Sequence, residues 1–415
     1  MKDTAKSAIQ ARSGAGDARF LSAETNRSSL TRREWLSTAF LSSCALAFVG
    51  LESCRESGPS DNTNSISGGK QIGTVDFAEE GHIPMNSPVG AELDGRLFTD
   101  LSEAGPDQKV TPIEKFYIRT RASNLLDLRN PWSIQLGPEL NHSRLSAAEI
   151  SKRSVPIGVN LMECSGNVHA SHFGMLSVAD WAGLPLSELL DRIPPNKRKS
   201  SVLISGFDKY ENGSATSIEG ASWIFPIEDL LASNAFLATT MNGEPLTRDH
   251  GAPVRLIVPG WYGCVCIKWV NDIRLIDETA EATSQMQEYA TRTHQNGIPK
   301  LAADYQPATI DAAAMPVRVE KWLVGRRIMY RIVGIHWGGS APIRTLGIQF
   351  RPGEKYSRVD DLRERTGNTW GFWTHVWTPT SVGNYEIRMQ VSEPALRTRR
   401  LDIGYYKRTV KITDV

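Results

Sequence analysis

From Tyr385 to Val391 the chain alternates: Tyr385, Ile387, Met389 and Val391 are apolar, and Glu386, Arg388 and Gln390 between them are not. A period of two marks a strand with one buried face and one wet face. Helix signals fade from about residue 306 onward. Gly338-Gly339, Pro352-Gly353 and Gly383-Asn384 punctuate strand-like runs there, and Ile328, Tyr330 and Ile332 repeat the alternation less cleanly. Residues 306–415 therefore predict a small β-sandwich of immunoglobulin type. Trp370, Trp373 and Trp377 are expected in its core and interface.

Upstream the pattern is different. Between about Val110 and Asp277, runs rich in aliphatic and aromatic residues (Phe116-Tyr117-Ile118, Val202-Leu203-Ile204, Val254 to Val258) alternate with helix signals. Ser177 to Trp181, followed by Pro185-Leu186 and Leu189-Leu190, reads as two short helical turns. Pro226 to Leu231 places a proline where a first helical turn tolerates it. The mixture predicts an α+β domain over 110–280. A polar connection over 281–305 leads to the sandwich. Residues 55–109 read as a tether and N-terminal extension, rich in Ser, Gly and Asn at the start.

Residues 1–54 read as an address. Arg32-Arg33 precede a short apolar run that reaches about Leu51 and is interrupted by Ser37, Thr38, Ser42 and Ser43. Such a run is a poor membrane span, and paired arginines before it read as a twin-arginine export signal. Export by that route, to an extracytoplasmic or periplasmic space, suits a protein that folds around a cofactor first. Cys54 is a candidate lipid anchor, although Glu52 sits awkwardly before it. Net charge is +1, with charged residues at 22%, so no basic nucleic-acid face or acidic tail is indicated.

Of the five cysteines only Cys164, Cys264 and Cys266 lie in the body of the chain. Cys264 and Cys266 read as buried small hydrophobes. Cys164 stands in Leu161-Met162-Glu163-Cys164-Ser165-Gly166-Asn167, an apolar approach followed by small and polar residues. That setting suits an accessible thiol in a tight turn. A thiolate is a soft ligand for a transition metal, and alone it could equally be a nucleophile or a packed residue. Arg255 sits inside the apolar run from Val254 to Val258. A charge there is not expected to be buried unpaired, so an anionic partner is required. His169 and His172 follow the cysteine at a spacing that suits one helix face, but they read first as polar loop residues.

The stretch from Glu163 through Trp181-Ala182-Gly183-Leu184-Pro185 to Leu190 resembles the sulfite oxidase family of molybdopterin enzymes. So does Arg248-Asp249-His250-Gly251-Ala252-Pro253-Val254-Arg255 through Gly263 to Lys268-Trp269. Gly334 to Gly339 resembles the start of that family's C-terminal dimerisation domain. The resemblance implies a molybdopterin-binding domain followed by an immunoglobulin-like domain, a molybdenum-molybdopterin cofactor and a homodimer. It implies Cys164 as the molybdenum ligand. His250 and Arg255 would hold the pterin and its phosphate, with Lys268 and the backbone at Gly263 closing over them. Arg119 would attract an oxyanion near the metal. His250 could instead be a turn histidine satisfied by backbone, and Lys268 a lysine lying over Trp269.

Three positions depart from the family pattern. Thr239 stands where an active-site tyrosine is expected. Arg119-Thr120-Arg121 replaces an arginine-asparagine-histidine run. No arginine lies near Trp373 to Trp377, where His375 is the nearest cation. Arg121 and His375 are candidates for restoring positive charge. The resemblance implies oxygen-atom transfer, with sulfite oxidation to sulfate as the leading expectation. The substrate is then a small oxyanion. No Cys-x-x-Cys-His haem motif is present, so an external acceptor such as a c-type cytochrome is expected. Reduction of a sulfoxide or N-oxide by the same cofactor is the first rival. A non-catalytic exported binding protein is the second.

Overall fold

The structure is a computed structural model. It describes residues 65–415, apart from 79, 141–142, 192, 194–200 and 400–405. The twin-arginine segment and Cys54 lie outside the described residues. Among the described residues no helix is long and apolar enough to cross a membrane.

Two five-stranded sheets make the first half. One carries the strands Val155–Glu163, Leu176–Pro185, Phe236–Met241 and Glu244–Pro245, with Arg255–Ile257 also paired to Phe236–Met241. The other orders Arg144–Ser146, Ser133–Leu136, Val270–Ile276, Ser201–Gly206 and Ser222–Pro226. Every pairing is antiparallel except Val270–Ile276 against Ser133–Leu136. Short helices Ala147–Arg153, Ser187–Leu190 and Ile227–Ala232 connect strands. This half is thus mostly β with few helices. One continuous apolar core runs through it.

Two sequence expectations fail here. Ser177 to Trp181 is not helical; it lies within Leu176–Pro185. That strand is central, flanked by Val155–Glu163 and Phe236–Met241, and is buried on both faces. A strand covered on both sides loses the alternation that identifies it in sequence. Phe116-Tyr117-Ile118 is extended but outside the sheets: Ile118 bridges Leu97 alone, and the Tyr117 amide bonds Ser177 Oγ at 3.1 Å. The helix at Ser187–Leu190 and the one after Pro226 form as read.

The second half is a sandwich of two further five-stranded sheets. Ala313–Val324, Arg327–Trp337, Gly371–Trp377 and Asp361–Leu362 form one sheet with Gly69–Val75 at its edge. Ser357–Arg358, Leu346–Gln349, Gly383–Val391, Arg408–Ile412 and Phe77–Ala78 form the other. Tyr385, Ile387 and Met389 are buried in the core between the sheets, with Trp373 facing them. Residues 69–78, read as part of a tether and extension, therefore supply an edge strand to each sheet of the sandwich. The polar stretch 278–306 is also more than a connection. It holds the helix Ser284–Tyr289, capped by Thr283, with Met286 and Tyr289 buried.

Candidate active site

Cys164 closes the strand Val155–Glu163. Its amide donates to Met175 O at 3.0 Å and its carbonyl accepts from the Asn167 amide at 2.9 Å, so a tight turn hangs from the strand end. The Gly166 N–H points at Cys164 Sγ at 3.4 Å. The preceding Glu163 is fully buried. Trp337 Nε1 donates to it at 2.8 Å and the Tyr406 hydroxyl donates to its other oxygen. Burial pushes its carboxyl up, against the pull of Arg399. Arg399 also donates to Ser165 O and lies 4.9 Å over the Tyr262 ring. The sandwich thus grips the cysteine turn from behind through Trp337, Arg399 and Tyr406.

In front of Cys164 lies a cavity of about 850 Å³, its open mouth included, lined also by Tyr117, Arg119, Arg255, Gly263, Cys264, Cys266, Lys268 and Tyr289. Arg255 is 6% exposed. Its Nη1 donates to His250 O at 3.2 Å, and its Nε is buried with no hydrogen-bond partner among the described residues. Lys268 donates to the carbonyls of Asp249, at 3.0 Å, and Thr120, with its ammonium 4.5 Å from the Trp269 ring. Burial, and then Arg255, hold the Lys268 ammonium well below its ordinary value. A buried cation without an anion costs several kcal/mol in an apolar medium. The donors in this wall therefore suit an anionic group, and the thiol of Cys164 faces the same space. Gly263 is required by close approach: a Cβ there would meet the Tyr117 hydroxyl at 2.3 Å. A pterin phosphate needs such guanidinium, ammonium and N–H donors, because charge-assisted hydrogen bonds are the strong ones. On those observations the residues present suit a molybdopterin.

His250 is placed differently from the role its resemblance implied. Its Nε2–H donates to Phe116 O at 3.1 Å and its Nδ1 accepts from Thr247 Oγ1 at 2.7 Å, so both nitrogens are used within the protein. Burial draws its pKa down to about 4. It is a neutral turn histidine that orients the Phe116–Tyr117 backbone and offers its own carbonyl to Arg255. Cys264 and Cys266 are buried free thiols, as read, and burial pushes both up.

Three candidates lie away from the cavity. Arg121 pairs with Asp249 at 2.8 Å beside a separate surface depression. Thr239 bonds Ser154 Oγ at 3.0 Å within the strand Phe236–Met241. His375 stacks on Phe350 at 5.8 Å and faces Asp360 at 3.3 Å, inside the sandwich. His169 and His172 lie near Glu80, which is held by Arg408 at 2.6 and 2.7 Å. No His, Cys, Asp and Glu cluster among the described residues suits a metal ion.

Beside Arg119, which the resemblance marked, the cavity gathers residues that the sequence did not mark. Arg96 and Arg119 both donate to Ser217 Oγ, at 3.1 and 3.0 Å. Burial, and then the neighbouring Arg119, bring Arg96 down to about 10. Ser217 belongs to the loop between Ser201–Gly206 and Ser222–Pro226, anchored further by Ser214 and Thr216 on Asp94 at 2.6 and 2.7 Å. Tyr289 comes from the helix Ser284–Tyr289. Of these only Arg119 was singled out in sequence, through the resemblance.

Comparison with known proteins agrees with this geometry. Residues 125–284 match the model of the oxidoreductase molybdopterin binding domain. The protein-methionine-sulfoxide reductase catalytic subunit MsrP of Xanthomonas campestris is 29% identical over 43% of this chain and 55% of its own length. Rat mitochondrial sulfite oxidase is 35% identical over 28% of this chain and 21% of its own. The chain thus spans about half the length of the first of these relatives. The sulfane dehydrogenase SoxCD of Paracoccus pantotrophus superposes with a TM-score of 0.56 over 89% of this chain and 96% of that one, at 16% identity, and shares its fold. Residues 125–284 thus carry a molybdopterin-binding oxidoreductase domain, similar to that of the sulfite oxidase family.

Proposed function

We propose that the protein holds a molybdenum-molybdopterin between Cys164 and the Arg255–Lys268 wall and uses it to reduce a sulfoxide. The observation that carries the cofactor reading is the buried, unpartnered Nε of Arg255 on the same cavity as the Cys164 thiol. When bound, the cofactor supplies two-electron oxygen-atom chemistry. The chain's own residues do the rest. Cys164 anchors the metal. Arg255 and Lys268 meet the anionic tail, and Glu163 fixes the turn that carries the sulfur. Direction and substrate rest on the open side. Arg119 lines it and shares the Ser217 hydroxyl with Arg96, which does not, while Arg399 is committed to Ser165 O and His375 is remote. Leu93, Ile118 and the exposed Ile218 line the same mouth. A neutral sulfoxide with an apolar substituent suits that mouth better than a dianion. The methionine-sulfoxide reductase named above supports the same direction.

Sulfite oxidation is the second reading, favoured by the Arg96–Arg119 pair. Elemental analysis of the purified protein comes first, with about one molybdenum per chain expected. Metallated protein is then given sulfoxides with a reduced viologen, and sulfite with oxidised cytochrome c. Turnover of sulfite alone would reverse the assignment. Absence of molybdenum would remove it and leave a non-catalytic binding protein.

The relative's description as a catalytic subunit supports a separate electron-transfer partner. The twin-arginine segment supports export of the folded, loaded protein. The two-arginine variant R32K/R33K, retained in the cytoplasm with its leader uncleaved, is the expected outcome.

A further inference from the structure

We infer that Ile218 selects the organic substituent of the sulfoxide, and that Asp94 positions Ile218 by pinning the loop that carries it. The inference rests on the sulfoxide reading above and narrows its substrate class to sulfoxides with a bulky apolar arm. Ile218 is 54% exposed and lines the cavity mouth. A single exposed isoleucine is ordinary on a protein surface. Two observations set this one apart. The first is its company: Leu93 and Ile118, both buried, line the same cavity, so its apolar lining includes one side chain left in water.

The second is the loop itself, residues 207–221 between the strands Ser201–Gly206 and Ser222–Pro226. At its base the Asp208 carboxylate accepts from the Gly220 and Ala221 amides, the latter at 2.8 Å. At its tip Ser214 Oγ and Thr216 Oγ1 both donate to Asp94 Oδ1, at 2.6 and 2.7 Å. Ser214 Oγ in turn accepts from the amides of Thr216 and Ser217, both at 3.0 Å. Ser217 Oγ accepts from Arg96 and Arg119. Ile218 therefore stands between a pinned Ser217 and a pinned Gly220. The pin at the tip comes from far away in sequence. The short turn Glu92–Asp94 gives Leu93 to the cavity and Asp94 to the loop.

That arrangement suits a ligand with one polar and one apolar end. Ser217 lies against Arg119, which lines the cavity, and Ile218 is the next residue. A sulfoxide oxygen accepts from a guanidinium, while a hydrocarbon arm that covers Ile218 removes apolar surface from water. The loop is ordered before the ligand arrives, so little conformational entropy is lost on binding. Dimethyl sulfoxide offers Ile218 only a methyl group. Methyl phenyl sulfoxide offers it a ring.

The test uses the full, metallated chain with a reduced viologen. It reads the ratio of kcat/KM for methyl phenyl sulfoxide over dimethyl sulfoxide. Wild type should favour the aryl substrate. I218S should lower the ratio about tenfold, the lower end of what a methylene-sized change in an apolar pocket is worth. The change should fall in KM, with molybdenum content at the wild-type level. D94A frees the loop tip and should lower the ratio likewise. D94N keeps an oxygen that can accept from Ser214 and Thr216, and should restore it. The double variant I218S/D94A should be no worse than I218S, since both act through one side chain. An unmoved ratio in I218S overturns the inference. A D94A fall matched by lost molybdenum, a D94N as impaired as D94A, or additive losses in the double variant each overturn the role of Asp94. Metallated wild type that reduces no sulfoxide overturns the sulfoxide reading and this inference together. Wild type that reduces both substrates, with I218S unchanged in its ratio, overturns this inference alone.

Discussion

One stretch of chain supplies much of the cavity's closed side, to which Cys164 and Tyr117 also contribute: Asp249, Arg255, Gly263, Cys264, Cys266, Lys268 and Trp269 all fall between 249 and 269. On its open side the chemistry comes from distant segments. Arg96 lies in the extension, Arg119 in an extended run, Ser217 in a loop, and Tyr289 in what reads as a connection. The closed side gathers the Arg255 guanidinium and the Lys268 ammonium beside one carboxylate, Asp249. The open side is held together by a single hydroxyl shared between two arginines. The difference separates holding a cofactor, which one contiguous block can do, from choosing a substrate, which is left to loops. It also predicts that substitutions on the two sides give different symptoms.

The largest effects belong to the cofactor wall and its ligand. Loss of groups that merely support a metal ligand costs about 10–100-fold in metal affinity or activity. C164S removes the ligand itself, so turnover should fall beyond that range. R255Q should lose molybdenum along with turnover, read by elemental analysis, because it removes the charge the cofactor's anion meets. An R255Q protein with full metal and normal turnover would break the division between the two sides.

Acid should find the same wall. His250 is buried and neutral, with a pKa of about 4 against an ordinary 6.5. The unfolded chain takes up this proton first as pH falls. The stability it contributes is therefore complete above pH 6.5 and is lost as pH drops from there toward about 4. The loss is worth roughly 3 kcal/mol. His336 and His375 are shifted in the same direction by burial and add to it. Urea unfolding followed across that window should show the decline, and H250Q should flatten it. A flat wild-type profile would remove the neutral-histidine account of Phe116 and Arg255.

How much of this was legible in sequence follows the same division. The block around Arg255 announced itself, because a charge inside an apolar run needs a partner. Cys164 stood out only once its segment was matched to the family pattern, since its turn alone also suits a nucleophile or a packed residue. The alternation at Tyr385 to Val391 gave the sandwich. The failures have physical causes. Leu176–Pro185 lost its alternation through burial on both faces. Residues 69–78 joined the sandwich from over 230 positions away, a pairing with no local signal. Arg121 and His375 were chosen as cations near the right places, but charge in sequence does not say which way a side chain points. Arg121 turned to Asp249, and His375 to Phe350 and Asp360. Tyr289 was hidden because its helix reads as polar from one side.

A finer probe of the closed side is Gly263→Ala. Its methyl carbon would meet the Tyr117 hydroxyl at 2.3 Å, and the phenol must move to admit it. Overpacking of this kind costs about 1–3 kcal/mol. Thermal unfolding should fall by a few degrees, and molybdenum content should drop with it, since Tyr117 shares the cofactor wall. Unchanged metal content would place Tyr117 outside that wall and move it to the substrate side beside Tyr289.

The smallest contrast is the sharpest. Arg119 and Arg121 are two residues apart, carry the same charge, and were both candidates for substrate binding. Arg119 lines the cavity; Arg121 is 37% exposed and bonded to Asp249 outside it. R119Q should raise KM roughly tenfold while leaving metal content intact, because a hydrogen bond to a charged group is worth about 1.5–3 kcal/mol. R121Q removes an ion pair that is partly in water, worth about 1 kcal/mol or less, and should leave KM unchanged. Steady-state kinetics of the two variants at one ionic strength decides the matter. Equal KM values would mean that the open side recognises its substrate by shape alone. A larger effect from R121Q would mean that Asp249, released from its partner, disturbs Lys268 across the wall, and that the two sides are not independent.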